Sequence, residues 1–150
     1  MSIILALDSS TEACSCALAI DGKIFEKFEV LPRLHTQYIL PMIQSLMAEH
    51  ELNFTELDAI AVGAGPGSFT GLRIAAGVAQ GIAFGAELAL IPISTLAALA
   101  QPSIKSEPQY VLSCLDARIN EVYWAVYSKA DNKIELVGEE QLCKPELIDV

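Results

Sequence analysis

Basic side chains are in short supply. Nine lysines and arginines face nineteen aspartates and glutamates, a formal charge of −10 over 150 residues. The acidic surplus holds in both parts: residues 1–100 carry four basic and ten acidic side chains, residues 101–150 five and nine. A protein that grips nucleic acid unaided usually shows a basic footprint, because neutralising phosphates supplies most nonspecific affinity. The chain is therefore a poor stand-alone binder of nucleic acid. Histidine is scarcer still, with only His35 and His50, and their separation suggests no metal site. The four cysteines, Cys14, Cys16, Cys114 and Cys143, form no C-x-x-C pair and no zinc-module spacing, so buried reduced thiols are expected. Long apolar runs are missing too. The longest, over residues 72–100, is broken by Arg73, Gln80, Glu87 and Pro92, whereas a membrane helix needs about 20 apolar residues. The N-terminus has no positively charged region, and its apolar run ends at Asp8 without a small-residue cleavage site, so no secretion signal is read and the cytoplasm is the expected compartment.

What is present is ample core material: 53% of the residues are hydrophobic, enough in a chain of this length for a substantial interior. Strands are expected over residues 3–8, 12–20 and 23–30. Asp21-Gly22 between the last two is a hairpin signal, since both central residues of a type I′ turn need positive φ. A helix is expected over 36–50, where Ile39, Met42, Ile43 and Leu46 recur at three- and four-residue steps, with Pro41 near its first turn. A strand over 57–62, a glycine-rich loop over 63–67, a helix over 70–84, a strand over 88–93 and a short helix over 94–100 follow. Residues 101–108 read as a linker.

Beyond the linker the opening pattern returns, with strands over 110–115, 121–127 and 134–137, and Asp116 standing where Asp8 stood before. A mixed sheet flanked by helices, with its three-strand opening duplicated, is the layout of the ribonuclease H-like, actin-type (ASKHA) α/β fold. The expected domains are 1–100 and, from 109 to 150, the start of a related second domain whose C-terminal part lies beyond this sequence.

Two loops invite a chemical reading. Gly63-Ala64-Gly65-Pro66-Gly67-Ser68-Phe69-Thr70-Gly71 joins a strand to a helix, the place where backbone N–H groups can hold phosphate. It lacks the Lys-Ser/Thr of a Walker A loop, and Thr70 replaces the third glycine of G-x-G-x-x-G. Pro66 and Thr70 likewise break a G-x-S-x-G elbow around Ser68. Structural turn and phosphate site both remain open, with Gly65, Gly67 and Ser68 the phosphate-proximal candidates. Asp8-Ser9-Ser10-Thr11 is the second loop: Asp8, Ser10 and Thr11 occupy the position of a phosphate-binding hairpin but without its glycine.

The helix over 70–84 carries three stripes: Ile74, Val78 and Ile82; Ala75, Ala79 and Ala83; Gly77, Gly81 and Gly85. A helix apolar nearly all round is buried on more than one side. Each glycine costs about 1 kcal/mol relative to alanine, which makes sense if another helix must approach closely. Either the helix over 36–50 fills that role or a partner does.

Four motifs in order, Ile4-Leu5-Ala6-Leu7-Asp8-Ser9-Ser10-Thr11-Glu12-Ala13-Cys14-Ser15, Arg33-Leu34-His35-Thr36-Gln37, Gly65-Pro66-Gly67-Ser68-Phe69-Thr70-Gly71-Leu72-Arg73-Ile74, and Asp116-Ala117-Arg118 with Glu121-Val122-Tyr123, resemble the TsaB (YeaZ) family over nearly the whole chain. The resemblance implies a non-catalytic subunit in formation of N6-threonylcarbamoyladenosine in tRNAs that read codons beginning with A. It implies a TsaD-like catalytic paralogue as partner, a TsaE-like ATPase as co-worker and a homodimer in isolation, with no membrane and with tRNA met only through the complex. No cofactor is expected on this chain alone, although ATP or ADP can belong to the assembled complex. The H-x-x-x-H metal motif of TsaD-like proteins is replaced here, Thr95 and Leu99 standing where the histidines would fall, so no metal or catalytic residue is assigned. By the same resemblance the partner interface is expected on Tyr38, Ile39, Met42, Ile43, Leu46, Leu72, Arg73, Ala76 and Gln80, with His35 and Thr36 at its rim. The alternatives are a glycoprotease-like metallopeptidase and a stand-alone actin-like phosphotransferase.

Overall fold

A computed structural model describes residues 2–105, 109–130 and 133–149, with side chains 104 and 105 excepted. The chain divides into two units, Met1–Ile93 and Ser94–Val150. The first holds strands β1 (Ile3–Asp8), β2 (Ala13–Ile20), β3 (Lys23–Val30), β4 (Ala59–Gly63) and β5 (Ala89–Ile93), with helices α1 (His35–Glu49) and α2 (Phe69–Ala86). Their order across the sheet is β3-β2-β1-β4-β5. β1 runs antiparallel to β2 and parallel to β4, and β4 runs parallel to β5. This is the ribonuclease H-like, actin-type arrangement. The β2–β3 hairpin closes through Asp21 (φ 48°) and Gly22 (φ 81°) with Ile20 opposite Lys23, the two-residue geometry that Asp-Gly favours.

Period-2 alternation decides which sheet face is buried. Ile3, Leu5 and Leu7 of β1, Cys14, Cys16 and Leu18 of β2, and Ile60 and Val62 of β4 form the core with α1 and α2. α1 contributes Ile39, Met42, Ile43, Leu46 and Met47, and α2 contributes Ala75, Ala79 and Ala83. Pro41 lies in the second turn of α1 rather than the first. The buried residues on either side of it, Ile39 and Met42, hold the helix on the sheet despite the missing N–H.

The second unit is a meander of β6 (Tyr110–Arg118), β7 (Glu121–Ala130) and β8 (Lys133–Cys143), with α3 (Thr95–Ala100) packed on it. Leu96 and Ala100 of α3 share a buried cluster with Ala125 and Tyr127. That packing draws α3 out of the first domain, to which the chain order had assigned it. Ser94 caps α3, its Oγ accepting from Leu96 N (3.1 Å) and Ala97 N (3.3 Å) and donating to Glu140. β8 is far longer than expected. Gly138, at φ 79°, lies where the β7–β8 register shifts, and through this irregularity the strand runs on past Val137, where its end was expected, to Cys143. Of the expected linker, Gln101–Lys105 forms a 3₁₀ helix and 106–108 lie outside the described residues. Among the described residues no helix is long and apolar enough to cross a membrane.

Burial pushes the Cys16 thiol up to about 11 and raises that of Cys14, with the nearby Asp8 charge adding to the latter. Both thiols stay protonated and covered near neutral pH, whereas Cys114 is exposed. Iodoacetamide at pH 8 is expected to label Cys114 in the native chain and to reach Cys14 and Cys16 only in denaturant, as read by peptide mass spectrometry. Native labelling of either β2 cysteine would refute the described core.

Candidate functional site

β1 and β4 are parallel neighbours, Leu7 standing opposite Val62, so the loops that follow them leave the sheet at the same end. In open α/β sheets that carboxyl end is where ligands gather. Here the two loops are knit to each other. Ser10 O accepts from Ser68 N at 2.6 Å, and the fully buried Ser9 donates its hydroxyl to Gly71 O at 2.7 Å. Asp8 Oδ1 accepts from Ser10 N (2.9 Å) and Ser10 Oγ (2.7 Å). Ser68 caps α2, its Oγ accepting from Gly71 N at 3.2 Å.

The glycines serve this closure. A Cβ on Gly63 would overlap the Asp8 carboxylate, and one on Gly71 would overlap the Ser9 carbonyl oxygen. On Gly67 it would stand 2.6 Å from Ser10 O. Gly65 alone needs its conformational freedom, at φ 96°. Of the six phosphate-proximal candidates, Asp8, Ser10, Gly67 and Ser68 thus meet in one place and Gly65 shapes the loop beside them. Thr11 is turned to the start of β2, where its Oγ1 accepts from Ala13 N at 3.1 Å. The N–H groups of Ser10, Ser68 and Gly71 point at protein oxygens, so the pair is built as a seam between loops.

The expected interface splits in two. His35, Ile39, Met42, Ile43 and Leu46 lie in the chain's own interior, and His35 Nε2 sits 3.2 Å from Ala13 O. As outward-facing contacts these five are corrected: the periodic stripe of α1 is the one that covers its sheet, and one stripe cannot face both ways. Leu72 and Ala76 are half-buried, while Thr36, Tyr38, Arg73 and Gln80 are exposed.

The open side of α2 is richer than the sequence suggested. A Cβ built on Gly77, Gly81 or Gly85 meets no atom within 4 Å, so α1 does not fill the glycine stripe. Phe84, two turns beyond Gly77, falls on that side and is 90% exposed, and Phe69, in the first turn of the helix, is 68% exposed. The Arg73 guanidinium lies 3.8 Å over the Phe69 ring, a cation–π pair one helical turn apart. Helical spacing alone could have found both, since Phe69 precedes Arg73 by four and Phe84 follows Gln80 by four.

Residues 29–149 match the family model described as TsaD, tRNA N6-adenosine threonylcarbamoyltransferase. The tRNA threonylcarbamoyladenosine biosynthesis protein TsaB of Escherichia coli (strain K12) is 49% identical over 147 residues, covering 97% of this chain and 64% of that protein. The protein of the same name from Haemophilus influenzae is 44% identical, over 95% of this chain and 64% of its own length. The chain therefore spans just under two thirds of these relatives. A solved structure of YeaZ from Pseudomonas aeruginosa superposes with a TM-score of 0.94 at 45% identity, covering all of this chain and 71% of that one.

The two kinds of glycine on α2 predict opposite responses to the same substitution. Gly71→Ala forces the helix off the Ser9 turn and should destabilise by about 1–3 kcal/mol. Gly77→Ala, in open space, should stabilise the isolated chain by up to about 1 kcal/mol. Urea unfolding compares them, and coincident midpoints would remove the argument for close packing at Gly71.

Proposed function

We infer the function of this chain from its kinship: it belongs to the TsaB (YeaZ) group of the TsaD-related family. In our reading it is a non-catalytic subunit that docks on a TsaD-like catalytic paralogue in the cytoplasm and supports formation of N6-threonylcarbamoyladenosine in tRNAs reading codons beginning with A. A TsaE-like ATPase joins the assembly, ATP or ADP binds there rather than on this chain alone, and tRNA is met through the complex. Without its paralogue the chain pairs with a second copy.

The observation that carries the reading is the open side of α2. Three glycines weaken a helix by about 1 kcal/mol each, yet no part of the first unit approaches Gly77, Gly81 or Gly85. A partner helix would use the close approach they permit, and Phe84 and the Phe69–Arg73 pair would supply the kind of aromatic and arginine anchors on which interface energy concentrates. The net charge of −10 supports the same division of labour, leaving basic contacts to tRNA with the partner. So do Thr95 and Leu99, which cannot act as the metal ligands of a TsaD-like site.

Light scattering on size-exclusion fractions tests this, with the chain alone and mixed with the TsaD-like paralogue of the same source. The wild type should form a heterodimer. Phe84→Ala should weaken it by about 2 kcal/mol, roughly thirtyfold, and Gly81→Gln should abolish it while leaving the circular dichroism unchanged. Normal binding by both variants would remove α2 from the interface, and ATP turnover by the purified chain alone would favour a self-contained phosphotransferase instead.

A further inference from the structure

We propose that Ser9 is a positioning residue for partner docking, its buried hydroxyl latching the first turn of α2 so that Phe69 and Arg73 are presented in a fixed place. The inference rests on the reading of α2 as the docking helix. A carbonyl inside a helix already accepts from the residue four positions on. The Ser9 hydroxyl, at 2.7 Å from Gly71 O, takes the second lone pair of such a carbonyl. It is not needed to form the helix, and Ser9 is fully buried.

The bond does not act alone. One residue along, Ser10 O accepts from Ser68 N at 2.6 Å, immediately before the helix begins. Gly71, lacking a Cβ, lets the helix backbone lie directly against the Ser9 carbonyl. The end of β1 therefore holds both the cap and the first turn of α2. Phe69 and Arg73 lie two residues either side of the latched Gly71, and their stacking at 3.8 Å joins them as one exposed feature. A helix whose first turn frays would carry that pair with it, and binding would have to restore the order.

Ser9→Ala keeps every helical bond and removes only the latch. Its control is Ile60→Val, a truncation at a fully buried site in the middle of β4, away from the loop seam. Both variants are compared with wild type by thermal melting, by amide hydrogen exchange across residues 69–75, and by affinity for the TsaD-like paralogue in calorimetry. Ser9→Ala should exchange faster in that segment and bind about five- to tenfold more weakly, while Ile60→Val lowers the melting temperature without either effect. Equal exchange in the two variants would overturn the latch. Faster exchange with wild-type affinity would overturn its role in docking. If the wild type itself fails to bind, the exchange data still report the bond, but the functional reading fails and the docking role falls with it.

Discussion

Strand β1 is hydrogen-bonded along both edges, antiparallel to β2 and parallel to β4, and the rest of the first unit is arranged around that double pairing. Its inward side chains Ile3, Leu5 and Leu7 are all at most 5% exposed, each contributing about 1.5–3 kcal/mol by burial. Asp58 fixes the entry to β4 against it, accepting from Ile3 N at 2.6 Å and donating its own N–H to Ile3 O at 2.8 Å. Because the two strands run the same way, their following loops must leave together, and the seam of Asp8, Ser9 and Ser10 against Gly63, Gly67 and Gly71 is a direct consequence.

That seam changes the meaning of the glycine-rich loop. Glycine-rich turns at helix N-termini are associated with phosphate because they leave N–H groups available. Three of the glycines here instead leave room for a neighbouring carboxylate, carbonyl or side chain. The same residue type on α2 has the reverse use: Gly77, Gly81 and Gly85 face open space, where the missing side chain can serve only a neighbour from outside the first unit. One helix thus carries an inward alanine stripe against the sheet, a glycine at its start for the loop seam, and an outward face of glycine and phenylalanine.

The second unit shows how far local signals extend. Its three strands were legible in the sequence, but their lengths were not. The third was expected to end at Val137, whereas the strand continues through an irregular register to Cys143. Glu140 is useful there: it accepts from Tyr127 OH at 3.1 Å and from the Ser94 hydroxyl that caps α3. A carboxylate whose partners lie 13 and 46 residues away gives no local hint of its role.

The order of the elements in the first unit, the Asp-Gly hairpin, the ribonuclease H-like layout and kinship with a family were all legible from neighbouring residues, because periodicity, turn chemistry and motif order are local properties. The resemblance also placed Arg73 and Gln80 among the expected partner contacts, and both are exposed. Packing in three dimensions settled which way the stripe of α1 faces, moving His35, Ile39, Met42, Ile43 and Leu46 from a surface to a core. It likewise divided the glycines between a closed seam and an open face and placed α3 on the second sheet. The physical reason is the same in each case: burial and close approach depend on what lies opposite in space, and an apolar stripe or a glycine looks identical in sequence whether its neighbour is the chain's own sheet, a serine carbonyl or another protein.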